Sequence, residues 1–457
     1  MKKNIYLFFL LGMLFLTACE NLVEVGYPTN QLGTVQVFED VQTANAALAS
    51  LYAKLRDNSV LSGGSYVGAG PMLGFYTDEL DLYRAGGESQ DPLDIYLIQQ
   101  QATNTIVKNI WTASYQQIYY ANSIIYGAEQ STALSDTDKN RIRGEAILIR
   151  SLVYFYLQQL FDDIPYTISL DYEYNRTIGK TDAAALLEQL AFDVTEAAGL
   201  LEDDYRDAER IYPNRKVAQL VLAKIYLTER NYKQAEQMAR AILQSSLYEF
   251  EEDINEVFHK SGKHILWQIR PQISGDATKE ASFYYFINAA PRVCALSQNL
   301  VNAFADDDLR KQEWMAQVTF NGNSWYRAYK YKNISNNTNE YSIACRLEEA
   351  YFIMAEALVK QNRFDEALPY LNVTRERAGL TAFSSLSGEA FTDELLAEKR
   401  REFFTEFGHR FLDLKRWGRL NELKTLKPNW EDYKHVWPLP QSELLLNPNL
   451  NPQNKGY

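Results

Sequence analysis

Cysteine and histidine are scarce in this sequence, and their scarcity excludes several kinds of protein. With 3 cysteines and 4 histidines in 457 residues, the chain has too few thiols for a disulfide scaffold or a four-cysteine zinc site. His259 and His264 are five residues apart, so they do not share a helical face, and no third ligand lies near them in the sequence. We therefore expect no metal and no cofactor.

Positive charge and long hydrophobic runs are also in short supply. The chain has 46 Lys and Arg residues against 59 Asp and Glu, a net charge of −13, which argues against a nucleic-acid binder. Its mean hydropathy of −0.35 argues against a polytopic membrane protein. What it has in excess is tyrosine, 31 residues against 22 phenylalanines and 7 tryptophans, which supplies rings with a polar edge.

The amino terminus has the pattern of a bacterial lipoprotein signal. Lys2 and Lys3 precede a 12-residue apolar run over residues 5–16, which is too short to span a bilayer but suits a secretory signal. Small residues then lead to Cys19, as in a lipobox, so we predict a signal peptide over 1–18, lipidation of Cys19 and a tether over 19–35. The alternatives are a plain signal peptide with a chance cysteine, or a short buried helix. Cleavage would leave a net charge of −15 and two thiols, Cys294 and Cys345, which could pair or stay free.

The body of the chain alternates between helical periodicity and one irregular region. We predict a single fold over 36–457, with a helical scaffold at about 36–249 and 346–434 and an irregular insert at about 250–345. Short strands are expected near 264–269 and 325–331. Glycine-rich segments at 62–74 and 83–95 are expected to be loops, and the Pro- and Asn-rich tail at 435–457 is expected to lie extended over the surface.

An internal repeat indicates the kind of helical scaffold. Five small or aromatic positions recur at an offset of 132 residues in helix–turn–helix phase: Ala223, Tyr226, Tyr232, Ala235 and Ala239, then Ala355, Leu358, Phe364, Ala367 and Leu371. Small residues let two helices approach closely, and the aromatic residue at the turn fills the gap between hairpins, which is the tetratricopeptide pattern. Two unrelated hairpins are the alternative. Helices near 136–160 and 182–201 are candidates for a further hairpin.

Four segments follow one another behind the lipobox: Arg143-Gly144-Glu145-Ala146 through Pro165-Tyr166, Ala355-Glu356-Ala357-Leu358 through Gly379-Leu380, Glu398-Lys399-Arg400-Arg401 through Trp417-Gly418, and Val436-Trp437-Pro438-Leu439-Pro440 through Asn449. Together, and in this order, they resemble one known family, the SusD/RagB outer-membrane nutrient-binding lipoproteins of Bacteroidetes. The resemblance implies a mostly α fold, with tetratricopeptide-like helical hairpins and an irregular, loop-rich ligand-binding half.

The resemblance also implies a function and partners. Such proteins bind an oligosaccharide, or a peptide in the RagB branch, and deliver it to a SusC-type TonB-dependent transporter. They are held by a lipid anchor on the outer leaflet of the outer membrane, and they do not cleave their ligand. A surface glycoside hydrolase is one alternative, because 59 acidic residues leave room for a catalytic carboxylate pair. A pure interaction scaffold is another, because tetratricopeptide arrays often bind protein partners.

Two charged clusters suggest chemistry but have simpler interpretations. The block around His409 and Arg410 contains acids and bases at near-turn spacing, which favours ion pairs between helices over catalysis. The acidic run of residues 306–308 lacks the alternating ligands of a calcium loop, and it is better suited to capping the turn before Leu309. No catalytic residue is expected.

Candidate ligand-binding residues are the aromatic and polar side chains that remain once the scaffold is set aside. Trp111, Tyr154, Phe155, Trp417 and Trp437 are expected in the core because they lie in helices or signature segments. Rings that stack on sugar faces, with amides and arginines beside them, are expected at Tyr66, Tyr83, Arg84, Tyr284, Tyr285, Asn288, Trp314 and Trp325. An acidic glycan is disfavoured by the net charge, unless Arg84 or Arg292 creates a local basic patch.

Overall fold

The computed structural model describes residues 34–84 and 88–457, and the predicted signal peptide, Cys19 and nearly all of the tether lie outside these residues. The mostly α class is confirmed. The described helices, α1 to α18 in chain order, are Thr34–Val37, Val41–Asp57, Ala69–Tyr76, Asp91–Tyr96, Thr105–Gln130, Asp136–Phe161, Tyr172–Asn175, Ala183–Leu200, Arg215–Thr228, Tyr232–Leu243, Lys279–Phe283, Gln298–Val301, Leu309–Glu313, Leu347–Lys360, Phe364–Arg377, Gly388–Phe403, His409–Trp417 and Gln441–Leu446. The described strands, β1 to β6, are Leu80–Leu82, Ile265–Ile269, Cys294–Leu296, Met315–Phe320, Asn323–Ala328 and Ser342–Arg346.

Helix α6 forms the centre of the amino-terminal half. Ser135 caps it by accepting a hydrogen bond from the Asp138 amide, and all residues from 144 to 161 are buried. A helix that is buried on every side must be covered by neighbours, and here α5 and α8 pack along it. The predicted helices near 136–160 and 182–201 are therefore confirmed, and α5 lies within the predicted helical scaffold.

The predicted repeat folds as two stacked helical hairpins. Helices α9 and α10 form the first hairpin, α14 and α15 form the second, and α10 packs against α14. The alanines at the repeat positions, Ala223, Ala235, Ala355 and Ala367, have no exposed surface, as close helix contact requires.

Buried ion pairs connect the second hairpin to the helices that follow it. Glu402 of α16 accepts hydrogen bonds from Arg346, Arg377 and Arg310, all of which are nearly inaccessible. Arg410 of α17 forms a two-pronged pair with Asp78, at 3.0 Å for each contact. The interpretation of this block as ion pairs between helices is therefore confirmed, although most partners lie far away in the sequence.

The irregular region contains two small sheets. β2 pairs with β6, and the other four strands form an antiparallel sheet in the order β1-β3-β5-β4. The strands expected near 264–269 and 325–331 correspond to β2 and β5. The four-stranded sheet also takes in β1, which the sequence analysis assigned to no strand, so it joins the amino-terminal half to the irregular region.

Two segments expected to be loops contain helices. Helix α3 begins at residue 69, inside the first, and α4 begins at residue 91, inside the second. The loop prediction holds for 62–68 and was wrong for 69–74, because the glycines there serve close packing as well as turns. A Cβ at Gly70 would lie 2.5 Å from the Thr405 carbonyl oxygen, and a Cβ at Gly74 would lie 2.8 Å from Leu80.

The carboxy-terminal segment is not simply extended over the surface. Trp437 is fully buried, its amide donates a hydrogen bond to the Leu160 carbonyl at 2.7 Å, and its ring lies 5.2 Å from that of Tyr76. Helix α18 follows directly. The expectation of an extended surface tail was wrong because it rested on the Pro and Asn content, whereas the apolar residues 436–439 are buried.

Cys294 and Cys345 are both free and buried, on β3 and β6 of different sheets. Across residues 34–84 and 88–457, no helix is both long enough and apolar enough to cross a membrane.

Candidate ligand-binding face of the four-stranded sheet

One face of the four-stranded sheet carries aromatic side chains that are not part of the core. The Tyr83 amide donates a hydrogen bond to the Val293 carbonyl at 2.9 Å, which places Tyr83 at the end of β1 beside β3. Its ring meets the ring of Trp325 edge-on, with centroids 6.4 Å apart. Both side chains are partly exposed. This pair brings together two predicted ligand-binding residues that are far apart in the sequence.

Strand alternation explains why these residues share a face. On β5, Trp325 and Arg327 point to one side, and Tyr326 points to the other, where it pairs with Leu296 and packs against the core. The side of Trp325 is thus the side that turns away from the core. The neighbouring strand β4 pairs Val318 with Trp325.

The segment after α11 adds an open hollow beside this face. The hollow has a volume of about 340 Å³ and is lined by Phe283, Tyr285, Phe286, Ile287, Ala289, Ala290, Arg292, Val293 and Cys294. Tyr285 is half-buried, and Asn288 is exposed at the tip of the segment with a φ of 52°. Tyr285 also lies against Arg327, whose guanidinium carbon is 5.2 Å from the ring centroid. Tyr285 therefore connects the hollow to the sheet.

Tyr66 and Arg84 take positions that support this site. Tyr66 is half-buried between the rings of Phe75 and Phe283, each with its centroid 6.0 Å away, and burial raises the pKa of its hydroxyl. Arg84 donates hydrogen bonds to the carbonyls of Glu88 and Ser89, at 2.5 and 2.7 Å. Its donors thus hold its own loop together.

Two predicted ligand-binding residues lie in the core. Trp314 is 1% exposed, and its indole N–H donates to the Ile254 carbonyl at 3.0 Å. Tyr284 is 4% exposed and packs edge-on against Phe283. Both assignments fail because a run of aromatic residues in an irregular segment must still bury some of its rings, and the sequence does not show which ones.

The aromatic residues set aside as scaffold are mostly buried. Trp111, Tyr154, Phe155 and Trp437 are at most 4% exposed, as expected. Trp417 is half-buried, with the Lys360 ammonium 3.2 Å from its ring centroid.

Two phenols near the face are suited to hydrogen bonding. Burial raises the pKa of Tyr83, and burial together with the Asp81 carboxylate raises the pKa of Tyr96 to about 12. The Tyr96 hydroxyl donates to Asp81 at 3.1 Å. These phenols stay protonated at neutral pH, so they can donate and accept hydrogen bonds as sugar hydroxyls do.

Two features that suggested chemistry in the sequence have structural roles. The His409 ring stacks on Phe403 at 4.3 Å, and burial holds its pKa well below the usual value. Asp308 caps α13 by accepting from the Arg310 amide, as predicted. In the described part of the chain, no group of three or more His, Cys, Asp or Glu residues is placed to hold a metal ion.

Arg327 is the residue of this site that sequence reasoning missed. The signal was present in the alternation of β5, where Trp325 and Arg327 are two residues apart and must share a face.

Comparisons with known proteins agree on the family. Residues 82–227 match a SusD-like family described as "Starch-binding associating with outer membrane", and residues 298–435 match the family described as "SusD family". Two relatives from Formosa agariphila, SusD-like proteins P25 and P2, are 24% and 26% identical. The P25 alignment covers 96% of this chain and 97% of P25, and the P2 alignment covers 78% and 81%.

Solved structures show the same fold. A SusD superfamily protein from Bacteroides vulgatus superposes with a TM-score of 0.77 at 23% identity, covering 92% of this chain and 100% of its own. A laminarin-binding SusD-like protein gives 0.78 at 19% identity, covering 91% and 99%. Surface glycan-binding protein A from Bacteroides thetaiotaomicron, in complex with laminarihexaose, gives 0.76 at 18% identity, covering 90% and 99%.

Proposed function

The chain belongs to the SusD/RagB family, and on this basis we propose that it is a cell-surface lipoprotein that binds a nutrient oligosaccharide. It delivers this ligand to a partner SusC-type TonB-dependent transporter, and it does not cleave it. The observation that carries the proposal is the partly exposed Tyr83–Trp325 ring pair on the outward face of the sheet, next to the hollow at Tyr285. Rings of this kind stack on the C–H faces of sugars while nearby polar groups bond the hydroxyls.

Binding is tested with the soluble chain lacking residues 1–19, on a glycan array and by tryptophan fluorescence. We expect saturable glycan binding that changes the fluorescence without releasing reducing sugar. Tyr83→Ala should weaken glycan binding, whereas Tyr370→Ala, which alters a ring packed against Tyr351 within the second hairpin, should not. Release of reducing sugar would indicate a glycoside hydrolase, and binding of peptides alone would indicate a RagB-type protein.

The lipid anchor is proposed at Cys19. Acyl chains on this residue would hold the protein at the outer leaflet, and the charge pattern of residues 1–18 suits secretion. Cys19→Ala should move the protein from the membrane pellet to the soluble fraction. A Cys19→Ala protein that still sediments with membranes contradicts the anchor.

An exposed aromatic flank supports the partnership with a transporter. Six large apolar side chains, 48% to 73% exposed, lie on α5, on α8 and in the segment between α6 and α8: Tyr119, Tyr126, Ile168, Tyr172, Tyr174 and Phe192. Asn122, on the same stripe of α5 as Tyr119 and Tyr126, bonds the Thr167 carbonyl next to Ile168. Apolar surface of this extent is typical of a protein interface.

The flank is tested by Tyr119→Ser with Phe192→Ser. We expect loss of co-purification with the transporter and unchanged glycan binding. The matched control is Leu445→Ser with Leu446→Ser, which removes two apolar residues, each 76% exposed, from α18. If both double variants co-purify equally with the transporter, the flank is not part of the interface.

A further inference from the structure

One buried arginine of the four-stranded sheet lacks the partner that the other buried arginines have. Among the described residues, Arg150, Arg310, Arg346 and Arg377 are at most 6% exposed, and each forms an ion pair with a buried carboxylate. Arg327 is 8% exposed, yet in the described chain its guanidinium has no hydrogen-bond acceptor and no carboxylate within ion-pair distance. A chain with 59 acids and 46 bases has carboxylates to spare, so the missing partner is a property of the site.

The surroundings of Arg327 are aromatic. Its guanidinium carbon lies 4.5 Å from the ring centroid of Tyr329 and 5.2 Å from that of Tyr285. Its Nε is fully enclosed and donates to no acceptor, and burial lowers the pKa of the group, although an arginine stays charged at neutral pH. An enclosed cation with unused donors is costly unless solvent or a ligand supplies acceptors.

Arg327 also lies where a ligand would be bound. It shares the outward face of β5 with Trp325, whose ring contacts Tyr83. A second guanidinium, that of the exposed Arg292, lines the hollow together with Tyr285. Tyr285 therefore connects an enclosed arginine on one side with an exposed arginine on the other.

We propose that the ligand is an acidic glycan, a saccharide with a uronate carboxylate or a sulfate ester, and that Arg327 binds this anionic group. A planar guanidinium matches carboxylate and sulfate oxygens with two parallel hydrogen bonds, and Tyr83, Trp325 and Tyr285 contact the sugar rings. The inference rests on the proposed function and names its ligand class. It reverses the expectation from net charge, because Arg327 is an unpaired cation at the site and most carboxylates are distant and screened by salt, while the nearby Asp81 carboxylate already accepts a hydrogen bond from Tyr96.

The first test uses the unaltered soluble chain on an array of matched neutral, uronate-containing and sulfated oligosaccharides. We expect the strongest ligand to be acidic. Its carboxyl-reduced or desulfated form should bind at least about tenfold more weakly. The treatment that weakens binding identifies whether the carboxylate or the sulfate is recognised. A neutral strongest ligand, or equal binding after the acid is removed, overturns the inference. Binding of no glycan at all refutes the proposed function as well, and binding of acidic peptides in place of glycans also overturns the inference.

The second test uses variants and that same ligand pair. Arg327→Gln should weaken the acidic ligand at least about tenfold and leave the neutralised form unchanged, and Arg327→Lys should retain part of the affinity. The matched control is Arg270→Gln, which removes an equal charge from an exposed residue just after β2 and should change neither. An equal loss for both ligands assigns Arg327 a structural role and overturns the inference. If Arg327→Gln does not fold, Arg327→Lys and the first test still decide the question.

Discussion

Two tryptophans on either side of β4 are expected to respond to truncation in opposite ways. Trp314 and Trp325 both lie in the irregular region and were both predicted to bind ligand. The structure places Trp314 in the core at 1% exposure and leaves Trp325 partly exposed on the outward face. We therefore compare Trp314→Ala with Trp325→Ala for both stability and ligand affinity.

The cost of Trp314→Ala follows from its contacts. Its ring lies 5.2 Å from Phe258, with the Lys330 ammonium 5.2 Å from its centroid, and its indole N–H satisfies the Ile254 carbonyl. Truncating a buried tryptophan costs about 3–5 kcal/mol of unfolding free energy, and the carbonyl that loses its donor places this case near the upper end. Ligand affinity of the folded fraction should remain close to that of the unaltered chain.

Trp325→Ala should lower the unfolding free energy by less. The variant loses the edge-on contact with Tyr83, which is worth about 0.5–1.5 kcal/mol, and the ring is not part of the core. Losing a stacking platform should weaken glycan binding at least about tenfold, or about 1.4 kcal/mol.

Urea denaturation and glycan titration measure the two effects separately. The expected result is a lower unfolding midpoint for Trp314→Ala at normal affinity, and a nearly normal midpoint for Trp325→Ala at reduced affinity. The reasoning is refuted if Trp314→Ala unfolds at the same urea concentration as the unaltered chain. It is also refuted if Trp325→Ala binds glycan normally.

Three further predictions concern the core and the site. Glu402→Gln should lower the unfolding free energy by about 3–5 kcal/mol in urea titrations, because it leaves buried arginines without their carboxylate, whereas Glu173→Gln on the surface should have no measurable effect. Burial raises the pKa of Glu79 to about 7. The stability that its protonated form contributes is therefore complete below about pH 4.5 and is lost as the pH rises towards 7. Glu79→Gln should flatten this part of the curve of unfolding free energy against pH, and an unchanged curve contradicts the assignment. Tyr284→Ala should lower the melting temperature while Tyr285→Ala weakens glycan binding, and the reverse pattern would show that the burial of these two rings is misassigned.

The scaffold was predictable because helices are encoded locally. Caps at Ser135 and Asn104, apolar periodicity and small residues at fixed offsets all act within one or two turns, so the helices over 105–161 and both hairpins followed from the sequence. The sheet was only partly predictable, since β1 and β3 are three residues each and become strands only through pairing, β1 with β3 and β3 also with β5. β1 and β3 lie more than two hundred residues apart in the chain.

The ligand-binding face depends more strongly on tertiary contacts. The sequence singled out Tyr83, Tyr285 and Trp325, which the structure places on or beside the outward face of the sheet, but it did not distinguish them from the buried Trp314 and Tyr284. Burial is decided by what packs against a side chain, and in irregular segments no periodicity reports this.

The sequence by itself determined the class of this protein: a helical hairpin scaffold and an aromatic-rich irregular half. It did so because helix periodicity and repeat offsets are local or regular features. Only the tertiary structure decided which rings face outward, which acids pair with Arg346 and Arg377, and that Arg327 has no partner among the described residues. The physical reason is that burial and ion pairing depend on groups brought together by folding across the whole chain.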